Sequence, residues 1–187
     1  MSSANPPLTT PDLVVLSLLS EEPMHGYQVN QTLEYREVQD WAGISRPQIY
    51  YSLRKLERLE LIAPEESKEK LGPERQTYRT TPAGGKALSQ ALDLAHWTTQ
   101  RPPPPFLTWL ALSTHATPAT VVRQVERRRR FLESEAARER LTLAAVRAEH
   151  GEMVVVAELM IGLTIRQFEA ELRWLEEVEA RLVRRRT

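Results

Sequence analysis

Residues 45–58 hold the side chains best suited to chemistry with a partner, because hydrogen-bond donors and cations recur there at helical spacing. The candidates are Ser45, Arg46, Gln48, Tyr51, Ser52, Arg54, Lys55 and Arg58. Arginine and lysine can bind guanine or a phosphate, glutamine can pair with adenine, and a tyrosine hydroxyl can bond a phosphate. These side chains therefore suit the major groove of double-stranded DNA, with a solvated helix face as the alternative.

A helix that begins at Ser45 must position these side chains. Ser45 and Gln48 have the S-x-x-Q spacing of a capping box, and Pro47 fits the first helical turn. The helical period places a packing stripe on one side, formed by Ile49, Leu53, Leu56 and Glu60. The opposite side carries Gln48, Tyr51, Lys55 and Arg58, with Ser52 and Arg54 on its flanks. The sequence thus predicts a helix with one packed face and one solvent-exposed face.

Two strand-like runs follow this helix, at residues 61–64 and 76–80, and a polar tip with the turn signal Gly72-Pro73 separates them. The tip carries Lys68, Lys70 and Arg75, which we predict to contact the DNA backbone; a tip that is merely soluble is the alternative. Thr81 is placed to cap a helix over residues 83–97. Helix, hairpin and helix in this order predict a winged helix-turn-helix.

Two helices are predicted before residue 45. The first covers residues 11–19 after a threonine cap, Thr9 or Thr10, and the second opens at residues 24–27 and runs to residue 34. In the second helix, Tyr27 and Leu33 are expected to pack on the first helix, while Gln28 and Asn30 are expected to face solvent. His25 is a lone histidine without a second ligand at metal spacing, so we predict a capping or surface role for it.

Three ordered segments carry recurring motifs: LVVLSLLSEEPMHGYQVNQTLE at 13–34, WAGISRPQIYYSLRKLERLELI at 41–62 and RQTYRTTPAGGKAL at 75–88. Together they resemble the PadR-like winged helix-turn-helix transcriptional regulators. The resemblance implies a recognition helix in the second segment, a wing that returns in the third, autoregulation, and binding of an aromatic or amphipathic small molecule. The chain departs from the family pattern at Glu60, where glycine is usual, and at Gln48, since glycine commonly follows the proline.

Arg101 and the four prolines after it mark a stiff spacer at residues 101–105. We predict a winged helix-turn-helix DNA-binding domain at 1–100 and a helical dimerisation and effector domain at 106–187. Helices are predicted at 106–112, 119–149 and 152–184. The expected fold class is therefore mainly α with a small β wing.

The last predicted helix has two apolar stripes. A coiled-coil seam is formed by Val154, Ala157, Ile161, Thr164, Phe168, Glu171, Leu175, Val178 and Leu182. A second stripe is formed by Met153, Val156, Met160, Leu163 and Leu172. A helical hairpin covers only one such face, so the sequence predicts a homodimer, with a monomeric bundle as the alternative. The predicted interface residues are Val154, Ala157, Ile161, Phe168, Leu175 and Leu182.

Aromatic side chains lie on both sides of the spacer and on the last helix. They are Trp97, Phe106, Trp109, Phe168 and Trp174. Such rings could stack on a flat aromatic effector between the two domains, and the alternative is that they are core residues.

The composition argues against several classes of protein. The chain has no cysteine, four dispersed histidines, and no nucleophile or phosphate-loop motif, so we predict no enzyme, no metal and no cofactor. No apolar run approaches the ~20 residues of a membrane span, and a cytoplasmic protein is expected. Residues 1–100 carry 10 Lys or Arg against 13 Asp or Glu, so non-specific DNA affinity should be weak.

These features predict a sequence-specific DNA-binding transcriptional regulator, more narrowly a ligand-responsive repressor that acts as a homodimer. The alternative is a winged-helix adaptor that binds another protein with the same helices and does not bind DNA. An adaptor would present apolar anchors on the solvent-exposed face of the helix after Ser45, whereas that face carries polar and cationic groups. The four arginines at residues 127–130 spread around a helix, which predicts a solvated face rather than a phosphate site.

Overall fold

The structure is a computed structural model that describes residues 7–65, 76–101 and 104–183. The chain divides into two compact units, residues 1–101 and residues 102–187. Both units are largely helical, and the first also contains a small antiparallel sheet. The predicted fold class, mainly α with a small β wing, is confirmed. Among the helices of the described ranges, none combines the length and apolar character needed to cross a membrane.

The described part of the first unit contains six helices and three strands. In chain order they are α1 (Thr10–Glu21), β1 (Met24–His25), α2 (Gly26–Tyr35), α3 (Val38–Ala42), α4 (Arg46–Arg58), β2 (Ile62–Pro64), β3 (Thr77–Thr80), α5 (Pro82–Leu92) and α6 (His96–Thr99). The predicted helix over residues 83–97 is therefore two helices, and α3 was not predicted. Trp97 Nε1 donates to the Ala91 carbonyl oxygen at 2.7 Å, so it satisfies a carbonyl in the last turn of α5.

The sheet has the order β1-β3-β2 and is antiparallel throughout. Met24 pairs with Tyr78, and Ile62 pairs with Thr80. The sequence predicted that residues 24–27 open a helix, which is wrong for the first two of them. A strand of two residues has no periodicity of its own, so only its pairing with β3 reveals it.

The core of the first unit lies between α1 and the elements packed around it, with α4, α5 and β3 in contact with α1. Val15, Leu16, Val29, Leu56 and Ile62 are fully buried at its centre. Ile49 and Leu53 are buried as predicted, which confirms most of the packing stripe of α4. Glu60 is exposed, so its place on that stripe is wrong.

The start of α2 explains two further errors in the prediction. His25 caps the helix, because its Nδ1 accepts from the Gln28 backbone N–H at 3.2 Å, and the predicted capping role is confirmed. Asn30 is buried rather than exposed, and its Nδ2 donates to the Gly26 carbonyl oxygen at 3.0 Å. Tyr27 is exposed rather than packed, whereas Leu33 is buried as predicted.

The start of α5 is set by one cap and one close contact. Thr81 Oγ1 accepts from the Gly84 backbone N–H at 3.0 Å, as its predicted capping role requires. A Cβ on Gly84 would lie 2.0 Å from the Leu61 carbonyl oxygen, so only glycine fits there.

The second unit is built on a long helical hairpin. Its described elements are α7 (Pro105–Leu112), a short 3-10 helix (Ser113–His115), α8 (Pro118–Val146), α9 (Glu152–Val178) and a π-helical turn (Glu179–Val183). Its core consists of Val121, Val125, Leu132, Leu175 and Val178. Arg128 of α8 pairs with Glu171 of α9 through two contacts of 2.8 Å, and Arg129 pairs with Glu179 at 2.9 Å. Within the predicted solvated run, Arg128 therefore joins α8 to α9, and Arg129 joins α8 to the π-helical turn.

Part of the seam of α9 packs against the chain's own core. Leu175 is fully buried and cannot form the predicted dimer interface, whereas Phe168 and Leu182 are partly buried against the same core. Val154, Ala157 and Ile161 are half-buried. The exposed apolar face of α9 consists instead of Met153, Val155, Val156, Leu159, Met160 and Leu163. Sequence periodicity shows that two stripes exist but not which one faces α8.

Candidate functional site

Helix α4 is fixed at both ends by local hydrogen bonds. Gln48 Oε1 accepts from the Ser45 backbone N–H at 2.7 Å and from the Ser45 hydroxyl at 2.8 Å, which confirms the predicted capping box. At the other end, the Leu61 N–H donates to the Leu56 carbonyl oxygen and the Glu60 N–H donates to the Glu57 carbonyl oxygen, both at 2.9 Å. This is the bond pattern of a Schellman motif.

Glu60 occupies the left-handed position of that motif, with φ = 57°. Glycine adopts this conformation without strain, whereas a residue with a Cβ does so at a cost of about 1 kcal/mol. The departure from the family pattern at Glu60 therefore falls on the position where the backbone favours glycine. The turn into β2 keeps its geometry despite the glutamate.

The exposed face of α4 is a band of aromatic, polar and cationic side chains. Tyr51 is 66% exposed, and Arg54 and Arg58 are also exposed. Tyr50 is exposed beside Tyr51, although it was not among the predicted contacts; its step of four residues to Arg54 is the signal that could have found it. We call Tyr50, Tyr51, Arg54 and Arg58 the open face of α4.

The first turn of α4 holds the remaining exposed candidates. Ser45, Arg46 and Gln48 are exposed there. Arg46 pairs with Glu34 of α2, and its Nε lies 2.9 Å from Glu34 Oε1. Within the described residues, by contrast, Arg54 and Arg58 form no ion pair. The two arginines of the open face are therefore the better placed of the three to bind a phosphate or a base edge.

Lys55 and Ser52 are not on the open face, which corrects their predicted positions. Lys55 is 6% exposed and Ser52 is 1% exposed. Lys55 Nζ donates to Asp12 Oδ2 at 2.6 Å and to the Pro7 carbonyl oxygen at 3.0 Å. A side chain on the flank of an amphipathic helix can turn either way, and here a carboxylate on α1 decides the direction. Neither residue can contact DNA from this position.

Asp12 is the fully buried partner of Lys55 and also belongs to the cap of α1. Its Oδ2 accepts from the Thr9 backbone N–H at 2.7 Å and from the Thr9 hydroxyl at 2.8 Å. Burial acts to raise the pKa of Asp12, but hydrogen bonds from Lys55 and Thr9 outweigh it, so the pKa lies below its ordinary value. Asp12 Oδ1 is buried and has no hydrogen-bond partner among the described residues.

The three predicted cations of the wing, Lys68, Lys70 and Arg75, lie outside the described residues. Of the described wing residues, Arg79 is exposed on β3. Tyr78 donates to Glu57 Oε2 of α4 at 3.3 Å, and burial, together with the charge of Glu57, raises the pKa of Tyr78. This bond connects the wing strand β3 to α4.

Four of the five predicted effector residues lie together in the second unit. The rings of Phe106 and Trp109 are stacked with centroids 5.0 Å apart, and Trp174 meets Phe106 edge-on at 6.2 Å. Phe168 packs on the same core, and the Arg128 guanidinium lies 5.9 Å from the Phe106 ring. Trp97 belongs to the first unit, where its ring lies 4.5 Å from that of His96. The aromatic cluster of the second unit is thus Phe106, Trp109, Phe168 and Trp174.

Solved structures of similar fold cover almost the whole chain. A PadR-like transcriptional regulator from Bacillus cereus has 21% sequence identity and a TM-score of 0.67, with 97% of this chain and 99% of that chain covered. Bacillus subtilis PadR in complex with operator DNA has 17% identity and a TM-score of 0.68, with 95% and 99% covered. The same protein in complex with p-coumaric acid has 16% identity and a TM-score of 0.68, with 91% and 94% covered. At these low sequence identities, the similarity shows that this chain shares the fold of those proteins.

No curated protein matches the sequence. The sequence does match a family model, which covers the described helices α2 to α4 and the strands of the wing. Its members are described as transcriptional regulators. The match is to the transcriptional regulator PadR-like family and extends over residues 15–90.

Proposed function

We propose that this transcriptional regulator binds double-stranded DNA in a sequence-specific manner, with the open face of α4 in the major groove. The observation that carries the proposal is the division of α4 into two faces. Ile49, Leu53 and Leu56 anchor one face in the core, while Arg54 and Arg58 are exposed and unpaired within the described chain on the other. Arginine pairs bidentately with guanine, and this contact is the commonest specific one in protein–DNA complexes.

The solved complex of Bacillus subtilis PadR with operator DNA supports this proposal, since the fold is shared along nearly the full length of both chains. The alternative, an adaptor that binds a protein, predicts apolar anchors on the exposed side of α4. The open face has two arginines and two tyrosine hydroxyls instead. Its chemistry therefore favours DNA over a polypeptide.

We further propose that the protein acts as a homodimer through the exposed apolar face of α9. Residues 1–100 carry more acidic than basic side chains, so a single unit neutralises few phosphates and binds weakly. Two linked copies would double the contacts. Six apolar side chains on one exposed helix surface also favour an apolar partner, and a second copy of α9 provides one of the same chemistry.

We also propose that the protein is a repressor whose DNA binding responds to a small ligand. The aromatic cluster of the second unit offers stacked and edge-on rings with a guanidinium beside them, which suits a flat aromatic acid. The complex of Bacillus subtilis PadR with p-coumaric acid supports an effector of this class. Tryptophan fluorescence titrated with phenolic acids tests it, and a compound that quenches the signal should also weaken DNA binding.

In vitro selection from a pool of random DNA duplexes tests the central proposal. The wild-type chain should enrich one sequence, called the selected duplex below, over a shuffled duplex of equal composition. The Arg54→Ala variant should bind the selected duplex about 1–3 kcal/mol more weakly and lose preference at one or two positions. Lys86→Ala, which removes an exposed cation from α5, is the matched control and should retain that preference.

Absence of any enriched sequence would rule out sequence-specific binding. An equal effect of Arg54→Ala and Lys86→Ala would show that α4 does not contact base edges. The DNA immediately upstream of the chain's own gene should resemble the selected duplex if the protein regulates itself. A reporter placed behind that DNA distinguishes repression from activation.

A further inference from the structure

The buried pair of Lys55 and Asp12 has no direct part in the DNA contacts proposed above, yet it joins the recognition helix to α1. Lys55 Nζ lies 2.6 Å from Asp12 Oδ2, which also accepts two hydrogen bonds from Thr9. The same ammonium donates to the Pro7 carbonyl oxygen at 3.0 Å. One carboxylate oxygen and one ammonium thus connect the cap of α1, the chain before it and the middle of α4.

Stability alone is a poor explanation for this pair. Removing both charges from water is costly, and apolar residues of similar volume often replace a buried ion pair without loss of stability. Asp12 Oδ1, buried without a partner in the described chain, adds to the cost. A hydrogen-bonded ion pair does, however, fix the relative orientation of the two elements it joins, whereas apolar contacts are non-directional.

Lys55 lies on α4 next to the residues proposed to contact DNA, so the orientation that the ion pair fixes affects how those residues are presented. Lys55 follows Arg54 directly and lies one helical turn after Tyr51. The pair therefore fixes the rotation of α4 about its own axis at the level of the open face. Side-chain atoms lie about 5–6 Å from a helix axis, so a rotation of about 20° moves them by about 2 Å. Hydrogen bonds to base edges do not survive a shift of that size.

We propose that Asp12 and Lys55 are positioning residues, which set the rotation of α4 and thereby the sequence preference of the protein without contacting DNA. This inference rests on the proposed function, because it concerns how the open face is presented to the major groove. It predicts that the pair affects discrimination between DNA sequences more than stability or non-specific affinity.

The test compares two double variants, each of which removes one ion pair of α1 and leaves the net charge unchanged. Asp12→Leu with Lys55→Met removes the buried pair. Glu21→Leu with Arg36→Met removes the half-exposed pair between α1 and the end of α2, where Arg36 and Glu21 lie 2.6 Å apart. The dissociation constants for the selected and shuffled duplexes are measured over a range of KCl concentrations, well below the melting temperature of each variant.

The first variant should melt no lower than the wild type, and its ratio of affinities for the two duplexes should fall about tenfold, the size of one lost base contact. The slope of log affinity against log salt should stay unchanged, since no phosphate contact is removed. The control variant should retain the wild-type ratio.

An unchanged ratio in a folded first variant would overturn the inference. A salt slope that falls by about one unit would also overturn it, because Lys55 would then contact a phosphate directly. If the first variant does not fold, Asp12→Asn keeps the size and one acceptor oxygen and should lower the ratio in the same direction. Failure of the proposed function is distinguishable, since the wild type itself would then enrich no duplex.

Discussion

Helices α4 and α9 each have one packed face and one exposed face, but the chemistry of these faces is reversed. On α4 the exposed face is cationic and polar, and the packed face includes a buried ion pair. On α9 the exposed face is apolar, and the ion pair between Arg128 and Glu171 is only partly buried. The same helical pattern thus suits two kinds of proposed partner, a nucleic acid for α4 and an apolar protein surface for α9. What distinguishes them is the exposed chemistry, not the amphipathic period.

Charges placed on the exposed apolar face of α9 should have the largest effect. Leu159→Glu with Leu163→Glu should weaken the proposed dimer by about 4 kcal/mol, roughly a thousandfold, because each copy would bury two carboxylates without partners. Sedimentation equilibrium measures the change. Both side chains are exposed in the single chain, so its helicity should stay unchanged. A dimer of wild-type strength would show that this face is not the interface.

The packed face of α4 should respond to acid through Asp12. Its pKa is lowered by folding, so its contribution to stability is present above the ordinary value of 3.8 and is lost as the pH falls further, through the folded pKa. Neutralising one partner of a buried pair costs about 3–5 kcal/mol. Urea unfolding at a series of pH values below 5 should show a steeper loss for the wild type than for Asp12→Asn.

At neutral pH the Asp12→Asn variant should be the less stable of the two, since it lacks the charge that pairs with Lys55. The other carboxylates titrate in both proteins, so the difference between the curves isolates Asp12. Parallel curves would mean that the pair does not contribute to stability.

A substitution of Gln48 tests whether this side chain contacts bases or only caps the recognition helix. Its Oε1 already accepts two hydrogen bonds from Ser45, so bidentate pairing with adenine would require breaking the cap. Gln48→Ala should therefore lower the free energy of unfolding by about 1 kcal/mol and leave the preference for the selected duplex unchanged. Selection repeated with the variant decides the point. A relaxed preference at one base pair would instead restore Gln48 as a base contact.

The smallest expected effect lies at the end of the same helix. Glu60→Gly should raise the free energy of unfolding by about 0.5–1 kcal/mol, because glycine adopts the left-handed conformation without a Cβ penalty. Urea unfolding provides the measurement. DNA affinity should rise slightly at most, through loss of one negative charge next to the wing. Destabilisation would indicate that the Glu60 side chain makes a compensating contact.

Much of the first unit could be predicted because its signals are local. Thr9, Ser45 and Thr81 cap their helices with partners three residues away. The S-x-x-Q spacing indicated the Ser45 cap and the proline after Thr81 indicated that cap, whereas the sequence left Thr9 and Thr10 open for α1. The buried positions Ile49, Leu53 and Leu56 followed from the helical period in the same way. Both kinds of signal lie within about one turn of the chain, and local geometry fixes them before any tertiary contact forms.

Tertiary structure decided the features that depend on distant residues. Lys55 turned inward because it meets Asp12, which lies 43 residues earlier in the chain. Residues 24–25 became a strand because β3 pairs with them, and Leu175 and Val178 of the α9 seam became core because α8 covers them. A helical period defines which side chains share a face, but it cannot tell what that face will meet, since burial and ion pairing depend on atoms that come together only when the chain folds.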